Sequence, residues 1–234
     1  KLLLYPLWSR HARYRLDAVS STGNAVYLQL RPEGRGIPFQ PGQFAFLSFE
    51  HDGLREPHPF TIASAGRTDG GIAFMVRALG DYTERLVREA RPGLLAEVYA
   101  PFGRFLRAPD DGREIWIAGG VGVTPFISWL QDADAVGLER VTFFHFYTPG
   151  RELPEVLDLQ GLAARRGVEL VEIATGPGDA GFRSRFTRLV EESGASAPSI
   201  HFCGPGGLLK QVRQLMRETG VPEDRLHREL FEFR

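Results

Sequence analysis

Apolar and polar positions alternate with two different periods along this chain, and the change of period divides it in two. Over the first hundred residues short segments alternate with a period of two, the mark of strands with one buried face and one wet face. Segments 14–20 and 25–30 flank Ser21-Thr22-Gly23-Asn24, a turn composition that joins a hairpin. Pro41-Gly42-Gln43 opens the run 44–49, while 57–64 and 72–79 are further strands with Thr68-Asp69-Gly70-Gly71 turning between them. Segment 94–99 closes the series. One helix, 81–90, interrupts it, with Leu86 and Val87 apolar, Glu84 and Arg88 one turn apart, and Pro92-Gly93 as its stop. Six short strands with one helix predict a small antiparallel barrel.

Past Ala108-Pro109-Asp110-Asp111-Gly112 the period changes. Continuous apolar runs at 114–118, 141–147, 168–174, 199–203 and 226–231 alternate with helical patterns from 124, at 154–166, at 184–192 and at 206–219. Such strand–helix alternation predicts a five-stranded parallel sheet covered on both faces. The predicted organisation is a leading segment 1–12, a barrel domain over 13–108 and an α/β domain over 113–234.

Composition narrows the class. The 234 residues are 43% hydrophobic and 24% charged, as in an ordinary globular protein, and are enough for two cores. A net charge of -1 gives no bulk attraction to nucleic acid or an anionic membrane. The single Cys203 excludes an intrachain disulfide and a cysteine-held cluster, and fits a reducing compartment. The six histidines are scattered with no metal-ligand spacing, so no metal site is predicted. Leu2-Leu3-Leu4-Tyr5-Pro6-Leu7-Trp8 is apolar but far short of the about 20 residues a membrane span needs. It reads either as an N-terminal strand or end, or as the stub of a transmembrane helix with Arg10, His11, Arg13 and Arg15 as its positive flank.

The candidate chemistry lies at strand ends. Gly119-Gly120-Val121-Gly122-Val123-Thr124-Pro125 follows a buried strand and opens a helix. Glycines there let backbone approach a phosphate, Thr124 suits an N-cap and Pro125 the first helical turn. Tight strand–helix packing is the competing explanation, and Pro125 in place of a third glycine argues against an ordinary dinucleotide fingerprint. No acidic residue closes the strand ending at Tyr147, where a carboxylate would hold the ribose of NAD. Arg151, or Arg183 or Arg185 further on, can instead pair with a 2′-phosphate, which favours NADPH. Arg77 with Gly80-Asp81-Tyr82-Thr83 makes a second anion site at a helix start, unless Asp81 simply caps that helix. Cys203-Gly204-Pro205 ends a parallel strand, where ligands bind, although a lone cysteine is more often an apolar filler.

In order along the chain, Pro41-Gly42-Gln43, His58-Pro59-Phe60-Thr61, Gly80-Asp81-Tyr82-Thr83, Pro101-Phe102-Gly103, Gly119 to Pro125, Cys203-Gly204-Pro205 and Glu229-Leu230-Phe231 resemble the ferredoxin–NADP reductase superfamily. His58-Pro59-Phe60-Thr61 and the closing residues 228–234 look most like its ferric reductase and NADPH oxidase branch; the wider superfamily has Arg-x-Tyr-Ser/Thr at the first of these positions. The resemblance implies a six-stranded FAD-binding barrel followed by a five-stranded NADP-binding domain. It places Pro59, Phe60 and Thr61 along the isoalloxazine, with the Thr61 hydroxyl near flavin N5, and adds His58 to the FAD site. Arg77 and Gly80 to Thr83 would hold the FAD pyrophosphate. Gly119, Gly120, Val121, Gly122, Thr124 and Pro125 would hold the NADP pyrophosphate, with Cys203, Gly204 and Pro205 flanking the nicotinamide. Phe231, or Phe233, would cover the flavin, and Thr61, Cys203, Glu229 and Phe231 form the implied catalytic group.

The expected activity is hydride transfer from NADPH (NADH as the alternative) to FAD in the cleft between the two domains. Single electrons would then pass to haem in a transmembrane domain of the same polypeptide, for reduction of ferric iron or oxygen, at the cytoplasmic face of a membrane. A soluble NAD(P)H–flavin or ferredoxin reductase, an electron-transfer subunit of a complex, and a non-enzymatic nucleotide-binding module are the alternatives.

Overall fold

A computed structural model describes residues 10–108, 112–174 and 179–229. The chain forms two compact units. One runs to Arg107 and takes in Ile127–Ala133 and Leu153–Leu157; the other holds Ala108–Phe126, Asp134–Glu152 and the chain from Asp158 onward.

In the first unit six strands, β1 (Arg10–Thr22), β2 (Ala25–Pro32), β3 (Phe44–Phe49), β4 (His58–Thr61), β5 (Ile72–Arg77) and β6 (Leu95–Phe102), pair antiparallel in the order β4-β3-β6-β1-β2-β5. A bridge between Ile62 and Phe74 joins the two outer strands, so the sheet closes into a barrel and leaves almost no unpaired edge. The period-two pattern does what it predicts. Tyr14, Leu16, Leu28, Leu47, Phe49, Phe74 and Val98 fill the barrel, while Arg13 and Arg15 alternate outward. β1 begins at Arg10, paired with Ala100, so residues 10–12 already belong to the barrel strand. The predicted strand 57–64 is only four residues long, because beyond Thr61 the chain leaves β3 and bridges to β5. Helix α1 (Asp81–Glu89) follows β5 and buries Leu86 in the barrel core.

In the second unit β7 (Glu114–Gly119), β8 (Val141–Phe146), β9 (Glu169–Ile173), β10 (Ser199–Cys203) and β11 (Leu226–Glu229) are parallel in the order β11-β10-β7-β8-β9. The helices are α3 (Leu159–Arg165), α4 (Ala180–Glu192) and α5 (Gly206–Thr219), while α2 (Thr124–Gln131) starts in this unit and from Ile127 belongs to the first. Ile115, Ile117, Phe144 and Phe202 on one sheet face pack with Phe182, Phe186, Leu208 and Val212 of α4 and α5. Trp116 and Phe143 point to the opposite face, against Phe126 at the start of α2.

Two helices differ from their predicted limits. The pattern at 154–166 breaks into a 3-10 turn at Glu155–Leu157 and α3, because Asp158 at φ 24° restarts the helix and its carboxylate accepts the Gly161 N–H. Helix α4 starts four residues before Ser184, since Asp179 accepts the Phe182 N–H as an N-cap and Gly181 is tolerated within the first turn. No helix among the described residues is long and apolar enough to cross a membrane.

Candidate functional site

The first unit carries the residues predicted for the flavin at β4 and the start of α1. Strand alternation turns Phe60 into the barrel core and leaves Pro59 and Thr61 on the outer face, opposite Phe46 and Phe44 of β3. Phe60 thus packs as a core residue, 7% exposed. Thr61 is buried, and its Oγ1 has no hydrogen-bond partner. A buried hydroxyl left so costs about 1–3 kcal/mol, a cost that a hydrogen-bonding ligand on this face would remove. Beside it Phe44, Phe46 and Phe102 pack ring to ring at 5.3–5.9 Å, a half-buried aromatic platform. The sequence reading passed over this platform, although the Phe-x-Phe spacing at 44 and 46 marks two aromatics on one strand face.

His58 turns the other way. Its ring stacks on Tyr82 with centroids 3.7 Å apart, and its Nδ1 lies 3.0 Å from the Glu56 carbonyl oxygen. The Tyr82 hydroxyl donates to the carbonyls of Leu47 and Leu54, and burial pushes its phenol well above the usual range. His58 and Tyr82 therefore tie β4 to the first turn of α1.

At that turn Gly80 is the N-cap and carries no side chain to cap the helix. The Thr83 hydroxyl accepts the N–H groups of Leu79 and Gly80, at 2.9 and 3.1 Å, so Thr83 holds the approach to the helix and Asp81 is not the cap. The first-turn N–H groups of residues 81–83 have no partner within the helix and lie at the positive end of its dipole. Arg77, 9% exposed, ends β5 three residues earlier. A helix start of this kind favours an anion.

The second unit brings two sequence motifs together. β7 and β10 are neighbours, and beyond them the chain order runs in opposite directions, so their carboxyl ends flank the topological switch point of the sheet. Gly119 to Pro125 leaves β7 there and Cys203-Gly204-Pro205 leaves β10. A Cβ on Gly122 would lie 2.3 Å from the Cys203 carbonyl oxygen, and one on Gly119 would lie 2.5 Å from Pro205 Cδ. Packing thus demands these two glycines, independently of any phosphate. Gly120 has a left-handed backbone, φ 56°, and opens a 3-10 turn, Gly120–Val123, that runs into α2. The helical run starts at Gly120, four residues before the predicted N-cap. Thr124 is already helical, and its hydroxyl donates back to the Val121 carbonyl at 2.5 Å.

Cys203 is fully buried and lies in register with Glu229 of β11. Burial, then the nearby Glu229 carboxylate, push its thiol far up, so it stays protonated and acts as a small apolar surface rather than a thiolate. Burial also raises the Glu229 carboxyl to about 7, and one of its oxygens, Oε2, is buried with no partner. Arg151 is exposed in the turn after β8, its N–H bonded to the Thr148 carbonyl. Arg183 on α4 pairs with Glu218 on α5 at 2.7 Å, and Arg185 pairs with Glu169 on β9. Phe231 and Phe233 lie outside the described residues.

Residues 11–97 match the family model described as an FAD-binding domain. The chain is 28% identical over 237 residues to the ferredoxin–NAD(+) reductase component of the alkene monooxygenase system of Xanthobacter autotrophicus, covering 96% of this chain and 71% of that protein. It is 28% identical over 199 residues to a probable dihydroorotate dehydrogenase B (NAD(+)) electron transfer subunit of Methanopyrus kandleri, 84% of this chain and 71% of that one. Its fold matches the FAD/NAD-binding domain of a nitric oxide dioxygenase from Vibrio cholerae with a TM-score of 0.75, at 18% identity over 94% of this chain and 98% of that one.

Proposed function

We propose that this chain, whose residues 11–97 match the model of an FAD-binding domain, is a ferredoxin–NADP reductase-like protein and the NAD(P)H-dependent reductase component of an electron-transfer system. The observation that carries the reading is the buried, unpartnered Thr61 hydroxyl on the outer face of that domain. Bound FAD would supply the exchange between hydride and single electrons. The residues of the chain supply binding and orientation. Thr61 offers a hydroxyl to a flavin ring nitrogen, the aromatic platform of Phe44 offers an apolar flank, and Arg77 with the α1 N-terminus takes the pyrophosphate. In the other unit, the Gly120 turn receives a nicotinamide dinucleotide's phosphates. Cys203 keeps the end of β10 apolar, and Glu229 can hold or release a proton near neutrality. Arg151 on the loop after β8, with no acidic residue closing that strand, favours NADPH over NADH.

The acceptor fits a separate protein, since the relatives named above are a reductase component and an electron transfer subunit. A second reading makes the chain the dehydrogenase part of a membrane flavocytochrome, on the cytoplasmic face, feeding transmembrane haem; His58-Pro59-Phe60-Thr61 favours it. Anaerobic mixing of the FAD-loaded chain with NADPH and then NADH tests the shared core of both. Bleaching of the flavin absorbance is expected, faster with NADPH. Retained FAD that neither nucleotide bleaches would overturn the assignment. Faster electron delivery to a [2Fe–2S] ferredoxin than to ferric chelates separates the first reading from the second.

A further inference from the structure

The first unit contains a connection that the cofactor-binding motifs do not account for. Its Pro41-Gly42-Gln43 turn is held by two residues of α2 that belong to the same unit. The Gly42 N–H donates to Ser128 Oγ at 2.9 Å, and Trp129 Nε1 donates to the Pro41 carbonyl at 3.1 Å. Both side chains are buried, 0% and 2% exposed. Gly42 sits at φ 96°, and a Cβ there would lie 2.0 Å from the Phe105 carbonyl oxygen and 2.8 Å from Trp129 Nε1. The Trp129 ring packs on Phe105 at 4.9 Å. Steric closure and two hydrogen bonds therefore define the position of this turn.

The turn leads directly to Thr61. Gln43 fixes the turn from within, since its side-chain Oε1 accepts the Gln40 N–H at 2.8 Å, while its main-chain carbonyl accepts the Ile62 N–H at 3.0 Å. The next residue, Phe44, is the register partner of Thr61. Two backbone links thus separate the Ser128–Trp129 clamp from the residue whose hydroxyl is buried and unpartnered. β4 has only four residues, so it has little ladder of its own to hold Thr61 in place.

We infer that Ser128 and Trp129 are positioning residues that set the Thr61 hydroxyl against the flavin. The inference rests on the FAD reading above. A hydrogen bond loses most of its value with a few tenths of an ångström and some tens of degrees of misalignment, and a displacement of about 1 Å can cost about a hundredfold in rate. Releasing one of two clamps should therefore slow flavin reduction about tenfold, with little change in FAD affinity.

The test uses the full chain with Trp129→Phe, which removes the indole N–H together with part of the ring that packs on Phe105, and Ser128→Ala, which removes only the hydroxyl, as a milder second variant. Without FAD, amide exchange at Ile62 should accelerate at least about threefold in both variants while β1 and β2 exchange as before. With FAD, both variants should move the flavin midpoint potential and visible band in the direction that Thr61→Val moves them. Trp129→Phe combined with Thr61→Val should match Thr61→Val alone. Unchanged Ile62 exchange, or additive effects in the double variant, would overturn the inference. Accelerated Ile62 exchange in a chain that takes up no FAD would confirm the clamp but remove its role at a flavin, and the FAD reading would fall with that role.

Discussion

Replacing Glu229 by Gln should stabilise the protein, and only above a definite pH. Burial is the first-named cause of the raised carboxyl, which titrates at about 7 in the fold instead of 4.5. Below pH 4.5 the group is protonated in both folded and unfolded chains and contributes nothing. Between 4.5 and 7 the unfolded chain releases the proton while the folded chain keeps it, so stability falls as pH rises through this window. Above 7 the loss is complete. Each tenfold change in the ionisation constant is worth 1.36 kcal/mol, so the full displacement corresponds to about 3 kcal/mol. Allowing for the partial exposure of the side chain, about 2 kcal/mol is expected. Glutamine keeps the shape and carries no charge. Urea unfolding followed by circular dichroism at pH 4.5, 6, 7 and 8 would give equal stabilities at the lowest pH. The variant's advantage would then grow to about 2 kcal/mol by pH 8. A difference that is constant with pH would refute the reasoning, because it would come from packing and not from ionisation.

Four further substitutions separate the roles assigned above. Thr61→Val removes the unpartnered hydroxyl at constant shape, so the FAD-free chain should gain about 1 kcal/mol of stability while flavin reduction by NADPH slows about tenfold or more; thermal melts and stopped-flow bleaching measure the two, and a destabilised FAD-free chain would contradict the assignment. Gly122→Ala places a Cβ against the Cys203 carbonyl, and the backbone must shift, costing about 1–3 kcal/mol and weakening nucleotide binding, as melting and titration with NADP+ would show. Arg151→Ala should raise the KM for NADPH about tenfold or more with that for NADH unchanged, whereas Arg183→Ala, which breaks only an exposed pair with Glu218, should leave both alone; equal effects of the two on NADPH would remove Arg151 from the site.

The local pattern determined the layered plan of this molecule. Alternation with period two is sufficient to say which face of each barrel strand is buried, and Tyr14, Leu16, Leu28 and Val98 lie inside as that pattern requires. Continuous apolar runs separated by helices are sufficient for a parallel sheet, and five such runs form one. The motifs also mark their own positions, since glycine and proline act on the backbone within a few residues. Spatial order is another matter. That β10 lies beside β7, so that Gly122 is pressed against Cys203 and the two motifs form one corner, depends on strand order, which no local period encodes. The same is true of Glu229, whose proton affinity follows from burial beside Cys203 in register, and of Arg183, whose partner lies 35 residues away on another helix. The alternation of a strand only four residues long sent Phe60 inward and Thr61 outward, but tertiary packing alone left the Thr61 hydroxyl buried without a partner. The clamp at Gly42 joins residues 86 apart, so it became visible only once the chain had closed on itself. Sequence period determines what a segment buries; the closing of long loops determines which polar groups meet, and the chemistry of this protein lies at those meetings.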